Sequence, residues 1–260
     1  MPYVTIDDAF QMYYEVDGNG IPIVFIHPPA MGSITFKKQK SLAEKYKMIT
    51  YDIRGNGESG FSNEEITISL LADDIRKLLD ELEIKEAVIC GYSNGGSIAL
   101  EFALKYPDRV MALILSGGFP KVKSFLLAQE FRLGMVTARC KGIKLLAKVL
   151  AVSHTKDKHF QREIYKTILK INPTILFQMY KTGLVYNCTD KLSKITKPVL
   201  LVYGRKDDYI HKHYKLFEKK LLNTEIIFID KARHQIPTKH FLEFNKIVDR
   251  FLQKLPSHSR

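Results

Sequence analysis

Tryptophan is absent from this 260-residue chain, so no indole N–H is available as a donor. Cysteine is scarce. Cys90, Cys140 and Cys188 are odd in number and widely spaced, a pattern that fits neither a disulfide framework nor a zinc site. A reducing cytoplasm suits such a chain. No apolar run approaches the ~20 residues that cross a bilayer. The opening Met-Pro-Tyr-Val-Thr-Ile-Asp-Asp has no basic stretch ahead of an apolar one. Neither a signal peptide nor stable membrane insertion is expected. Phosphate-cradling signatures are missing as well: there is no Gly-x-x-x-x-Gly-Lys-Ser/Thr, and no Gly-x-Gly-x-x-Gly that opens a helix. Internal repeats and low-complexity tracts are lacking.

Acidic residues are sparse in one stretch. From Phe119 to Lys194, 15 Lys and Arg stand against 4 Asp and Glu, whereas the rest of the chain holds 25 against 24. Nearly all of the net +12 therefore sits in that stretch. It suits an anionic substrate or a lipid surface, and equally a plain solvated face. No recognition motif accompanies the lysines, so a nucleic-acid partner is not expected.

What is present is ordinary globular material, 45% hydrophobic and 26% charged. The length allows one large domain with an inserted subdomain. Short apolar runs read as strands at 4–6, 11–16, 21–26, 48–51, 87–90, 110–115, 198–203 and 225–229. Helical patterns fall at 36–46, 69–81, 95–106, 211–222 and 238–255. This alternation predicts an α/β protein, a mostly parallel central sheet flanked by helices. Between about 120 and 190 no strand pattern appears. Helical stretches fill that segment, with breaks expected near Gly134, Gly142, Ser153–Asp157, Asn172-Pro173 and Gly183. We divide the chain into a core (1–119 and 191–260) and an all-helical insertion (120–190).

The chemistry-bearing stretch is Val88-Ile89-Cys90-Gly91-Tyr92-Ser93-Asn94-Gly95-Gly96. A β-branched run ends in Gly-x-Ser-x-Gly and a helix-forming run follows, which is the context of a nucleophile elbow. Ser93 is expected at the tip of a sharp turn. The Asn94 amide at the helix N-terminus is expected to point at an oxyanion formed there. A serine hydroxyl needs a base that titrates near neutrality, so histidine is the default. His154, His159, His211, His213, His240 and His258 lie in the insertion, at helix starts, inside a helix or in the tail. His27 and His234 lie beyond strand ends, where ligands gather in an open parallel sheet. His234, downstream and on a loop able to lean over the sheet, is the expected base. Asp207 and Asp208 follow another strand, and one of them is the expected carboxylate that orients it.

The order Ser, Asp, His now matches one fold's triad. Several motifs together make the chain resemble the α/β-hydrolase superfamily over its whole length: Phe25-Ile26-His27-Pro28, Tyr51-Asp52-Ile53-Arg54-Gly55-x-Gly57-x-Ser59, Gly91-Tyr92-Ser93-Asn94-Gly95-Gly96, Gly204-Arg205-Lys206-Asp207, and His234. The resemblance implies a catalytic triad of Ser93, Asp207 and His234. It selects Asp207 over Asp208, because the acid stands three residues after the glycine. It also makes the insertion the family's cap. Two departures stand out. Relatives carry His-Gly-x, with the amide of x as second oxyanion donor, but here the sequence is His27-Pro28-Pro29-Ala30 and Pro29 has no N–H. Either the loop shifts and Ala30 donates beside Asn94, which is the expectation, or the hole has one fewer donor. Asn56 stands where relatives often carry His, a position we read as structural.

A serine at the elbow argues against the haloalkane dehalogenase and epoxide hydrolase branches, which place aspartate there. A serine triad supports acyl transfer, and with water as acceptor the expected enzyme is a carboxylic ester hydrolase with no metal or organic cofactor. The expected partner is a small-molecule ester, and the expected assembly a monomer or homodimer. The basic cap argues against aminopeptidase-type relatives, which hold a cationic amine on acidic cap residues. Phe125, Leu126, Phe131, Met135, Leu145, Leu146, Val149, Phe177, Met179, Tyr180 and Tyr186 are candidates for an acyl pocket, or for packing the cap onto the sheet. Two alternatives use the same fold: a carbon–carbon bond hydrolase, and a ligand-sensing signalling protein.

Overall fold

The computed structural model describes residues 3–7, 9–140, 142–207 and 210–255. Asp208 and His258 lie outside the described residues. Eight strands form one sheet: β1 (Tyr3–Ile6), β2 (Phe10–Asp17), β3 (Pro22–Ile26), β4 (Lys47–Tyr51), β5 (Ala87–Tyr92), β6 (Val110–Ser116), β7 (Val199–Gly204) and β8 (Thr224–Ile229). Their spatial order is β1-β2-β4-β3-β5-β6-β7-β8, antiparallel at the first two pairings and parallel from β4 to β8. β5 is buried along its whole length, as a central strand covered on both faces must be.

Helices supply that cover. On one face lie α1 (Ile68–Glu81) and α2 (Gly95–Lys105); on the other pack a 3-10 helix over Ser33–Glu44 and α9 (Phe241–Leu252). The α1 start is set by Thr67, whose side chain accepts from the Leu70 N–H. The expected long final helix is two pieces, α8 (Ile236–Lys239) and α9, divided at His240, where the backbone leaves helical geometry. The expected helix at 211–222 is a 3-10 turn followed by the short α7 (Tyr214–Glu218).

Between β6 and β7 run α3 (Phe125–Arg139), α4 (Ile143–His154), α5 (Lys158–Ile168) and α6 (Pro173–Val185). Asp157 and Asn172 cap α5 and α6 with side-chain oxygens, and Pro173 occupies the first turn of α6. Gly134 and Gly183 do not break helices. They lie inside α3 and α6, because those helices cross too closely for larger residues. A Cβ on Gly134 would lie 2.5 Å from the Tyr180 ring, and one on Gly183 2.7 Å from the Phe131 ring.

Candidate active site

The elbow is a steric consequence of its glycines. A Cβ on Gly91 would sit 2.6 Å from the Gly95 carbonyl oxygen and the Gly96 Cα, and one on Gly95 would sit 2.3 Å from the Ile26 oxygen. Only glycine lets β5, α2 and the end of β3 approach so closely. Ser93 pays for this turn with a left-handed φ of 54°, a conformation that costs roughly 1–2 kcal/mol in an L-residue. The Ser93 N–H donates to the Ser116 oxygen at 2.8 Å, which ties the tip to β6.

Two loops bring the other side chains to this tip. After β7, the Asp207 N–H donates to the Gly204 oxygen at 3.1 Å. In the same loop the Lys206 N–H donates at 2.9 Å to the oxygen of Ala232, in the loop after β8, and a Cβ on Gly204 would collide with the Arg233 oxygen of that loop at 2.3 Å. The two loops are thus fastened to each other. His234 Nδ1 lies 2.9 Å from Asp207 Oδ2, and His234 Nε2 lies 2.9 Å from Ser93 Oγ. An ionised carboxylate only accepts, so Nδ1 carries the proton and Nε2 is left to accept from the serine hydroxyl. The Asp207 side chain is 2% exposed and the His234 side chain 18%. The Tyr92 ring backs the imidazole at a centroid distance of 5.2 Å.

Asn94 begins α2 beside Ser93 and is buried. Ala30 is a different matter. It adopts φ 73°, and its N–H donates to Asn56 Oδ1 at 3.1 Å. The second oxyanion donor expected there is spent on an internal hydrogen bond in this conformation. Asn56 also donates to the Arg54 oxygen at 3.1 Å. His27, the other strand-end histidine, is fully buried and serves the same loop. Its Nε2 accepts from the Ile53 N–H at 2.9 Å, and Nδ1 lies 2.8 Å from the Pro28 oxygen. Burial holds its pKa below the usual imidazole range.

A cavity of about 380 Å³ opens over Ser93 and His234. Pro28, Pro29, Met31 and Tyr92 form its floor, and α3, α4 and Tyr180 its walls. Of the acyl-pocket candidates, Phe131, Leu145, Leu146, Val149 and Tyr180 line it. Phe125 and Leu126 instead point outward, 71% and 57% exposed, and Met179 is core. Two lining residues had no visible signal in the sequence. One is His154, at the end of α4. Its Nδ1 lies 2.9 Å from the Leu150 oxygen and its Nε2 3.4 Å from the Tyr92 hydroxyl. Burial pushes its pKa down to about 4. The other is Glu130, the acid on this wall. Gly117, at φ 60° after β6, also abuts the site, because a Cβ there would lie 2.8 Å from His234 Cε1.

Comparison with known proteins gives a consistent family. The family model described as serine aminopeptidase, S33, matches residues 40–239. The human serine hydrolase BPHL is 26% identical over 263 residues, covering 95% of this chain and 84% of its own. RutD of Azorhizobium caulinodans, which carries the name of a candidate carbamate hydrolase, is 34% identical over 127 residues, and the match spans 48% of each chain. Among solved structures, an esterase from Exiguobacterium antarcticum superposes with a TM-score of 0.87 at 20% identity, covering 97% of this chain and 99% of that one.

Proposed function

The chain belongs to the serine aminopeptidase S33 family of α/β-hydrolases, and from that premise we propose that it is a serine carboxylic ester hydrolase acting through Ser93, His234 and Asp207. The observation that carries the reading is the unbroken relay from Ser93 Oγ through both His234 nitrogens to Asp207, each link 2.9 Å, under an apolar cavity. In this reading Ser93 Oγ attacks the ester carbonyl while Nε2 takes its proton. The resulting imidazolium is steadied by Asp207. The alcohol leaves with the proton that Nε2 returns, and an acyl-Ser93 intermediate remains. Water, deprotonated by the same nitrogen, releases the acid.

An ester is favoured over a peptide amine by the charge of the cap, where 13 basic residues outnumber 4 acids. A cationic N-terminus would meet that excess with Glu130 as the one acid on the cavity wall. The reading carries with it a small-molecule ester as partner and a cytoplasmic location.

The test is turnover of a panel of aryl esters, diketones and amino-acid anilides. Esters are expected to be the best substrates. Ser93→Ala is expected to lower ester turnover at least ~10³-fold, and Asp207→Asn by a comparable factor. A phosphonate should add its mass to the Ser93 peptide alone. Ester turnover that survives Ser93→Ala would refute the assignment. Turnover confined to diketones would favour carbon–carbon cleavage.

A further inference from the structure

Fourteen large apolar side chains are exposed among the described residues, and seven of them stand on two helices. Phe125, Leu126, Leu133 and Val136 are on α3; Leu145, Val149 and Val152 are on α4. Helix spacing aligns them. Leu126, Leu133 and Val136 follow one stripe, and Leu145, Val149 and Val152 another. Leu133 and Leu145 are each 67% exposed, yet both also line the cavity over Ser93, as does Val149. The apolar face is therefore continuous with the cavity mouth. An open groove along α3, walled by Leu126, Gln129, Glu130, Arg132, Leu133 and Val136, extends it outward. So wide an exposed apolar surface calls for an occupant.

Charge says which. Arg132, Lys144 and Lys148 are exposed on the same two helices and form no salt bridge among the described residues. Glu130 is the single acid on α3 and α4. A second copy of the chain would set one strongly basic segment against another. An anionic surface would neutralise both.

We infer that the outer face of α3 and α4 docks on an anionic lipid surface and that the cavity draws a lipid-borne acyl ester from it. The substrate half of this inference rests on the esterase reading; the docking half does not. Apolar side chains would enter the headgroup boundary while the lysines pair with lipid phosphates, the balance that holds interfacial helices. The cavity mouth would then open toward the acyl chains.

The experiment is cosedimentation of the full chain with vesicles of phosphatidylcholine alone and of phosphatidylcholine mixed with phosphatidylglycerol. Binding is expected to the mixed vesicles only, and to weaken as salt rises. Lys144→Gln with Lys148→Gln should weaken it about thirtyfold, since each charge at the surface contributes a factor of about five. Leu126→Gln, Val136→Gln and Val152→Gln together should weaken it by about tenfold or more, while turnover of a soluble short-chain ester stays unchanged. If that triple variant fails to fold, the lysine pair decides. Ser93→Ala should bind vesicles like the parent, so lost turnover and lost docking remain separate results. Absence of binding at low salt, or binding that ignores both variants, would overturn the inference. So would a dimer in solution that the apolar triple variant splits.

Discussion

Substituting Gly117 by alanine probes the relay without replacing any of its three members. The added methyl would lie 2.8 Å from His234 Cε1 and 2.9 Å from Nδ1. Carbon atoms pack at about 3.5–4.0 Å, so the ring must retreat by roughly 0.7 Å. Tyr92 stands beside the ring, and both nitrogens are already committed at 2.9 Å. The retreat therefore lengthens or bends at least one of those bonds. A displacement near 1 Å at a reacting group can cost on the order of 100-fold, and a general base as a whole is worth about 10²–10⁴. We expect kcat on a soluble aryl ester to fall about 100-fold with KM within about threefold, because the cavity walls are untouched. A separate penalty comes from the backbone. Alanine at φ 60° costs about 1–2 kcal/mol, which lowers the melting temperature by roughly 2–4 °C in a chain this size. Steady-state kinetics and thermal melts read the two effects independently. Gly60→Ala is the control, since its nearest neighbours would be 3.5 Å away or more and its φ is unexceptional. A Gly117→Ala enzyme that keeps kcat within about threefold of the parent would refute the reasoning.

Two further outcomes follow from buried charge. Arg54 grips Asp74 through two hydrogen bonds of 2.6 and 2.7 Å, with both side chains almost wholly buried. Arg54→Met leaves a buried carboxylate without its partner and should cost about 3–5 kcal/mol in urea unfolding; adding Asp74→Asn should recover part of that. Equal stability of the single variant and the parent would contradict this. His154 sets a pH dependence. Its pKa is about 4 in the folded chain, because of burial, against ~6.5 when unfolded. Between those values only the unfolded chain binds the extra proton. Stability is thus full above about pH 6.5 and drops as pH falls toward 4, by up to roughly 3 kcal/mol. His154→Gln should flatten the melting temperature over that range, and parallel curves for the two proteins would count against it.

Much of the fold was legible because the relevant signals are local. Short apolar runs such as Ile23–Ile26 and Val110–Leu115, bounded by turn residues, read as strands buried on both faces, and the Gly91 contacts lie within the elbow itself. What depends on distant parts of the chain was not legible. Gly134 and Gly183 look like helix breakers, yet each is a thin spot where α3 and α6 cross. The division of the last helix at His240 has no local signature. In the site, Ser93, Asp207 and His234 all follow strand ends, which topology alone brings to one edge. His154 reaches the same cavity only because α4 folds back over the sheet, and nothing in its neighbours announces that. Cavity-lining residues could not be told from packing residues either. Leu145 and Phe125 have similar surroundings in sequence, but one borders the cavity and the other faces outward.

The loop His27-Pro28-Pro29-Ala30 shows how a missing donor shapes what chemistry the site suits. Pro29 has no N–H, and the Ala30 N–H is held by Asn56. The loop is not free to rearrange cheaply. His27 is anchored by Ile53, and the Asp52 carboxylate receives the Ser33 and Glu58 amides at 2.6 and 2.8 Å. Under the proposed mechanism, charge developing on a carbonyl oxygen at Ser93 would depend chiefly on the N-terminus of α2, with the Asn94 amide at its head. One lost oxyanion donor costs about 10²–10³ in rate. An amide, whose leaving group is poor, needs the full hole. An ester with a good leaving group needs less of it and can tolerate the deficit. Under the proposed function, Pro29 would bias the site toward esters as the basic cap would, the one acting on the reacting carbonyl and the other on the rest of the substrate.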